Sequence, residues 1–183
     1  MHWLTVARIV DSEDQDITGP GATGELLVRG PTIIPGYYSE TNHAAFDNEG
    51  YFRTGDIVTC DASSKWYIVD RKKELIKVRG FQVSPSELEA VLLQHPKIVD
   101  AAVIGVPSFE GEQPRAYVVA AQDAGTLHVD EVMGWCAQRL AGYKRLSGGV
   151  VVVEELPRNA SGKLLKRALR EWAAEQRPQR AKM

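Results

Sequence analysis

The sequence predicts an α+β fold in two parts, a β-rich stretch over residues 1–69 followed by a small mixed α/β domain over residues 70–176. Three observations predict it. Before Asp70 the chain reads as short apolar or alternating runs separated by turns rich in Gly, Pro and Asp, with few long helical patterns. After Asp70 runs of period two are interleaved with runs of helical period. The charged string Asp70-Arg71-Lys72-Lys73 stands at the change. Residues 177–183 read as an unstructured tail.

In the first part, Thr5–Val10 alternates and predicts a strand, followed by the polar loop Asp11–Asp16. Thr18–Gly24 is a glycine and proline turn, and Glu25–Gly30 a second strand. Pro31–Gly36 reads as a loop, Ser39–Phe46 as a short helix with a serine start, and Asn48-Glu49-Gly50 as a turn. Tyr51–Val58 and Lys65–Val69 are two further strands, parted by the turn Asp61–Ser64.

In the second part, Leu75–Arg79 alternates, so Ile76 and Val78 share one face while Lys77 and Arg79 share the other. Gly80 gives the backbone freedom to turn, and Phe81-Gln82-Val83 alternates again, which together predict a hairpin. Ser84-Pro85-Ser86-Glu87 is a helix start with an N-cap, a proline in the first turn and a capping-box glutamate. That helix carries Leu88, Val91 and Leu92 on one face and stops at His95-Pro96. Val99–Val106 predicts a buried strand, Pro107–Pro114 an acidic loop, and Arg115–Ala121 another strand. Val129–Leu140 predicts a helix with Val132, Met133, Cys136 and Leu140 in one stripe. Gly148–Glu154, with four consecutive valines, predicts a buried strand. Arg158–Gly162 is a polar turn, and Leu164–Gln176 a helix with Leu165, Ala168, Leu169 and Trp172 inward.

Composition excludes several classes. A chain of 183 residues that is 44% hydrophobic and 25% charged suits a globular protein. A net charge of -2 argues against a nucleic-acid binder. No apolar run has the ~20 residues of a membrane-spanning helix. Cys60 and Cys136 show neither disulfide nor zinc spacing, and the four histidines show no ligand pattern, so no metal site is expected. The carboxyl end, Ala181-Lys182-Met183, is a small-basic-apolar tripeptide of the peroxisomal type, so the expected compartment is the peroxisome or the cytoplasm.

Three segments carry residues suited to chemistry. In Thr54-Gly55-Asp56 a carboxylate beside a glycine can accept two hydrogen bonds from a vicinal diol, although the same residues also make ordinary turns. Asp70-Arg71 is either a hinge or a plain linker. Asn159-Ala160-Ser161-Gly162-Lys163 places a lysine after a glycine turn and at a helix start, from which it can reach a phosphate. It is not the phosphate loop of P-loop NTPases, because Pro157 stands where the first glycine is required and Leu164 where Ser or Thr is.

Taken in order, Gly24–Gly36 (GELLVRGPTIIPG), Gly50–Asp56 (GYFRTGD), Asp70–Glu89, the Gly111-Glu112 loop and Leu156–Leu165 (LPRNASGKLL) resemble the C-terminal part of the adenylate-forming superfamily. The resemblance is greatest to acyl-CoA synthetases and 4-coumarate–CoA ligases, and it runs from Thr5 to about Trp172. It implies two half-reactions: a carboxylic acid and ATP, with Mg2+ accompanying the nucleotide, give acyl-AMP, and CoA then takes the acyl group. It implies that Lys163 serves adenylation and that Lys77, with Gln82, meets the nucleotide after the small domain rotates on Asp70. It implies further that Asp56 and Arg71 hold the ribose, and that Lys73, Arg79 and Gly80 lie along the path of CoA.

In that family a much longer N-terminal region supplies the phosphate loop, the acyl pocket and the adenine site. Residues 1–69 resemble only its last β subdomain. The expected role is therefore that of one part of an acid–thiol ligase, not competent alone and completed by a large N-terminal adenylation domain in cis or in trans. Two alternatives stand beside it. One is a stand-alone truncated homologue repurposed for small-molecule binding or unrelated catalysis. The other is an anion-binding module built on Arg71, Lys72, Lys73, Lys77 and Arg79.

Overall fold

A computed structural model describes residues 5–36, 45–123 and 125–175. The expected helix over Ser39–Phe46 lies outside these residues except for its end, where Phe46 forms an isolated bridge with Phe52. The tail from 177 onward also lies outside them. Contacts divide the chain into two compact units, Met1–Lys73 and Glu74–Met183.

The first unit is an antiparallel sheet of β1 (Val6–Val10), β2 (Asp16–Ile17), β3 (Thr23–Arg29), β4 (Phe52–Cys60) and β5 (Trp66–Arg71), in the order β2-β1-β3-β4-β5. The last two strands run further than the sequence suggests. Cross-strand pairing of Asp56 with Arg71 and Ile57 with Asp70 draws both of these residues into β5, so the unit closes a few residues after the expected boundary at Asp70. The apolar core is small, with Val10, Leu27 and Tyr51 as its buried cluster. The Tyr51 ring receives the guanidinium carbons of Arg8 and Arg29, each 4.4 Å from its centroid.

Beside that ring, the Asp47 carboxylate takes the N–H groups of Tyr51 and Glu49, at 2.8 and 2.9 Å, and pairs with Arg8. Burial pushes the Asp47 carboxyl up, but these hydrogen bonds and Arg8 outweigh it and hold the group below its ordinary value of 3.8. A depressed native value gives stability that is present above the unfolded value and lost as pH falls through the native one. The first unit is therefore expected to weaken from about pH 4 downward. Urea titrations read at the Leu27 methyl signals at pH 5.5 and pH 3 would check this, and Asp47→Asn should flatten the dependence.

The second unit is a five-stranded sheet clad on both faces. Its strands are β6 (Ile76–Val78), β7 (Phe81–Val83), β8 (Ile98–Ser108), β9 (Gly111–Ala120) and β10 (Val150–Val153). The path is β10-β9-β6-β7, with β8 paired along β9. The helices are α1 (Pro85–Leu93), α2 (Val129–Arg139) and α3 (Lys166–Glu175). Alternation along β8 and β9 divides the apolar residues between the two faces. On one face Ala101, Val103, Ala116 and Val118 pack with Leu88 and Leu92 of α1 and Val132 and Cys136 of α2. On the other, Ala102, Ile104 and Tyr117 pack with Leu169 and Ala173 of α3.

Three expectations need correction here. Pro107–Pro114 is not a loop, because the strands continue through it and turn tightly at Phe109-Glu110. β10 is not a buried strand, because it pairs at the edge of the sheet and leaves Val152 exposed. The last helix begins at Lys166, which leaves Leu165 exposed before it, and Ala173 joins Leu169 as a buried anchor. The start of α1 follows the sequence, with Ser84 Oγ accepting the Glu87 N–H at 3.3 Å, and the Glu87 carboxylate also takes Lys144 Nζ at 2.5 and 2.7 Å. Ser84→Ala should lower stability by about 1 kcal/mol in a thermal melt, the usual effect of losing such a cap.

Candidate functional site

In the first unit, Thr54-Gly55-Asp56 lies inside β4, just before its register with β5 shifts at Ile57/Val58. Thr54 Oγ1 donates to the Leu26 carbonyl at 2.8 Å and accepts the Asp56 N–H at 3.0 Å, which fixes the Asp56 backbone. Cross-strand pairing sets Arg71 opposite, and its Nε reaches Asp56 Oδ1 at 2.8 Å while Nη1 donates to the Thr54 carbonyl at 3.2 Å. Asp56 is mostly covered and Arg71 is exposed, so the pair presents a held carboxylate edged by a cation.

Around it, Asp70 is buried in β5 and accepts the N–H of Arg71 at 2.7 Å. Lys72 turns away to the buried Glu25 at 2.7 Å, which also takes Arg53 at 3.2 Å. Lys73 is exposed at the end of the unit.

In the second unit, β6 and β7 form the expected hairpin and set Lys77 directly opposite Gln82. Its turn is Arg79-Gly80, with φ of +47° and +87°, the two positive values that a type I′ turn requires. Ile76 and Val78 are buried beneath, while Lys77, Arg79 and Gly80 are exposed. Arg79 Nε pairs with Glu110 at 2.6 Å. A cleft of about 380 Å³ opens beside the turn, lined by Arg79, Phe81, Glu110, Tyr143 and Arg145. Phe81 and Tyr143 stack across it at a centroid distance of 4.5 Å.

Lys163 ends a loop that is tied by several hydrogen bonds. Asn159 Oδ1 accepts from Ser161 N–H at 3.1 Å, Ser161 Oγ at 2.8 Å and Lys163 N–H at 2.8 Å. Arg158 donates to the Gly162 carbonyl at 2.9 Å and to Asp100 at 2.7 Å. The Lys163 side chain is left exposed, before α3 rather than in it.

The sheet register separates the two lysines. Val78, next to Lys77, pairs with Gly111 at one end of β9, whereas Asp100, which anchors the Lys163 loop, pairs with Val119. At ~3.3 Å per residue these points lie roughly 26 Å apart along one strand. The Lys77 hairpin and the Lys163 loop are therefore anchored at opposite ends of β9.

Several members of these sites were not assigned from the sequence. The Asn159 bonds were legible in principle as an Asx pattern within five residues. The Arg158–Asp100 tie and the Phe81–Tyr143 stack join residues far apart in the chain and carry no local signal. Among the described residues, no cluster of three or more His, Cys, Asp or Glu side chains could hold a metal ion. Among them, too, no helix is long and apolar enough to cross a membrane.

A β unit followed in the chain by a mixed domain is found in larger enzymes. Residues 87–163 match the family described as the AMP-binding enzyme C-terminal domain. Acyl-CoA ligase azaF of Aspergillus niger is 54% identical over 168 residues, which cover 89% of this chain and 31% of that protein. Probable 4-coumarate–CoA ligase 3 of Dictyostelium discoideum is 40% identical over 91% of this chain and 31% of its own length. The crystal structure of ATP-bound MatB from Rhodopseudomonas palustris superposes with a TM-score of 0.83 at 34% identity, over 92% of this chain and 34% of that one.

The chain belongs to the adenylate-forming superfamily, as a C-terminal portion of the acyl-CoA synthetase and 4-coumarate–CoA ligase type. It spans about a third of the length of these relatives.

Proposed function

We propose that this chain is the C-terminal part of an ATP-dependent acyl- or aryl-CoA ligase, working with a large N-terminal adenylation domain in cis or in trans. The observation that carries the reading is that the Lys77 hairpin and the Lys163 loop are anchored at opposite ends of β9, which suits each lysine to one half-reaction.

In the first half-reaction a substrate carboxylate oxygen attacks the α-phosphorus of ATP, and the bond to pyrophosphate breaks. Charge develops on the phosphate oxygens, and the exposed amine of Lys163 stabilises it. The Asp56 carboxylate, with Oδ1 on Arg71, retains Oδ2 and further lone pairs to accept the ribose hydroxyls. That fit supports a nucleotide at Asp56 and Arg71, and Mg2+ accompanies its phosphates.

In the second half-reaction the CoA sulfur attacks the acyl carbon, and AMP departs with the electrons of the broken C–O bond. Rotation at Asp70 brings Lys77 and Gln82 to the nucleotide and removes Lys163. Lys73, Arg79 and Gly80 then line the approach of CoA. The phosphate loop and acyl pocket come from the N-terminal domain, so the chain alone does not ligate.

Mixing or joining the chain with such a domain tests this directly. Carboxylate-dependent pyrophosphate exchange and thioester formation should appear in the combination and in neither piece alone. A cognate pair that binds without exchange would leave the repurposed homologue as the better reading. The compartment we propose is the peroxisome or the cytoplasm; a relative 46% identical over 88% of this chain, from Arabidopsis thaliana, is described as a peroxisomal ligase. The location of a fluorescent fusion that keeps Ala181-Lys182-Met183 free decides between the two.

A further inference from the structure

Lys77 sits in a strand of three residues, flanked by a two-residue turn. In such a hairpin the pair that closes the turn, Val78 with Phe81, is hydrogen bonded, and the next pair, Lys77 with Gln82, is not. The N–H of Lys77 therefore points away from β7. β9 meets β6 only through Val78 and Gly111, so no strand carbonyl of that ladder is paired with it. A side chain fills the place: Glu112 Oε2 accepts the Lys77 N–H at 2.9 Å.

Two glycines make room for that contact. A Cβ on Gly111 would stand 2.8 Å from the Lys77 carbonyl oxygen, so only glycine lets β9 come so close. Gly111 also has φ of +109°, which a side chain would oppose. A Cβ on Gly105, on β8, would stand 2.9–3.0 Å from the Glu112 carboxylate. The bare backbone at 105 and 111 thus lets one carboxylate grip one peptide.

We propose that Glu112 is a positioning residue for Lys77: it fixes the Lys77 peptide for thioester formation and has no part in adenylation. The role rests on the reading above that Lys77 serves the second half-reaction. A short exposed hairpin holds a long amine loosely, and a reacting geometry requires its support to be fixed closely.

The experiment uses Glu112→Ala and Glu112→Gln in the chain combined with its N-terminal domain. Thioester formation from pre-formed acyl-adenylate and CoA should slow about tenfold or more in Glu112→Ala, the effect of one lost hydrogen bond to a fixed group. Pyrophosphate exchange should stay within about twofold. Glu112→Gln keeps an acceptor oxygen and should restore the thioester rate. In the full chain alone, amide exchange at Lys77 should quicken about tenfold in Glu112→Ala and not in Glu112→Gln.

Equal losses in both half-reactions, no loss in either, or failure of glutamine to restore the rate would each overturn the proposal. Unchanged exchange at Lys77 would overturn it without touching the ligase reading. A combined wild type that forms neither product would overturn the ligase reading, and the role of Glu112 with it.

Discussion

Lys163→Ala should lower carboxylate-dependent pyrophosphate exchange of the combined ligase by roughly 10²–10³, the range seen when one preorganised donor to a developing oxyanion is removed. The argument begins at the loop. Asn159 and Arg158 hold the backbone through Gly162 and Lys163, so the amine starts from a defined point and little ordering remains for the moment of reaction. Thioester formation from pre-formed acyl-adenylate should change little, because in the cycle proposed above Lys163 is then away from the nucleotide. Lys77→Ala should give the mirror image, slowing the second half-reaction and sparing the first. Stopped-flow measurement of each half-reaction separates the two variants. Parallel losses in both would refute a division of labour between the ends of β9.

The sequence carried most of the second unit because its signals are local. The Ser84-Pro85 cap, the stripe of α2 and the alternation at Ile76 and Val78 each need only a few neighbouring residues. Tertiary pairing decided what it missed. Glu112 looked like part of an acidic loop until β8 and β9 zipped together and turned it onto Lys77. The valines of β10 are apolar enough for an interior strand, but their place at the sheet edge exposes one of them. At the candidate sites, Asp56 and Arg71 were legible as motif residues, whereas their 2.8 Å pairing depends on the register of β4 with β5. The Phe81–Tyr143 stack depends on two segments that no periodicity connects.

Gly24→Ala should unfold the first unit preferentially, at a cost of about 3 kcal/mol or more, the upper range for forcing atoms into a packed site. Gly24 opens the GELLVRG string in β3, where a Cβ would overlap the Val10 carbonyl oxygen of β1 and press within 2.9 Å of the Ile9 and Ile17 side chains. The carbonyl cannot step aside cheaply, because β1 is held on both sides, by β2 and by β3. The small core around Val10, Leu27 and Tyr51 leaves little reserve to absorb the loss. Urea titration followed at β3 amides should show the first unit melting early, with Leu88 and Leu92 of the second unit unaffected. Gly134→Ala gives the contrast within the same chain. It lies in α2 with nothing within 4 Å of a new Cβ, so the substitution should stabilise that helix by about 0.5–1 kcal/mol. One chemical change of opposite sign at two places separates backbone crowding from intrinsic preference, and a first unit indifferent to Gly24→Ala would mean that β1 and β3 do not pair as described.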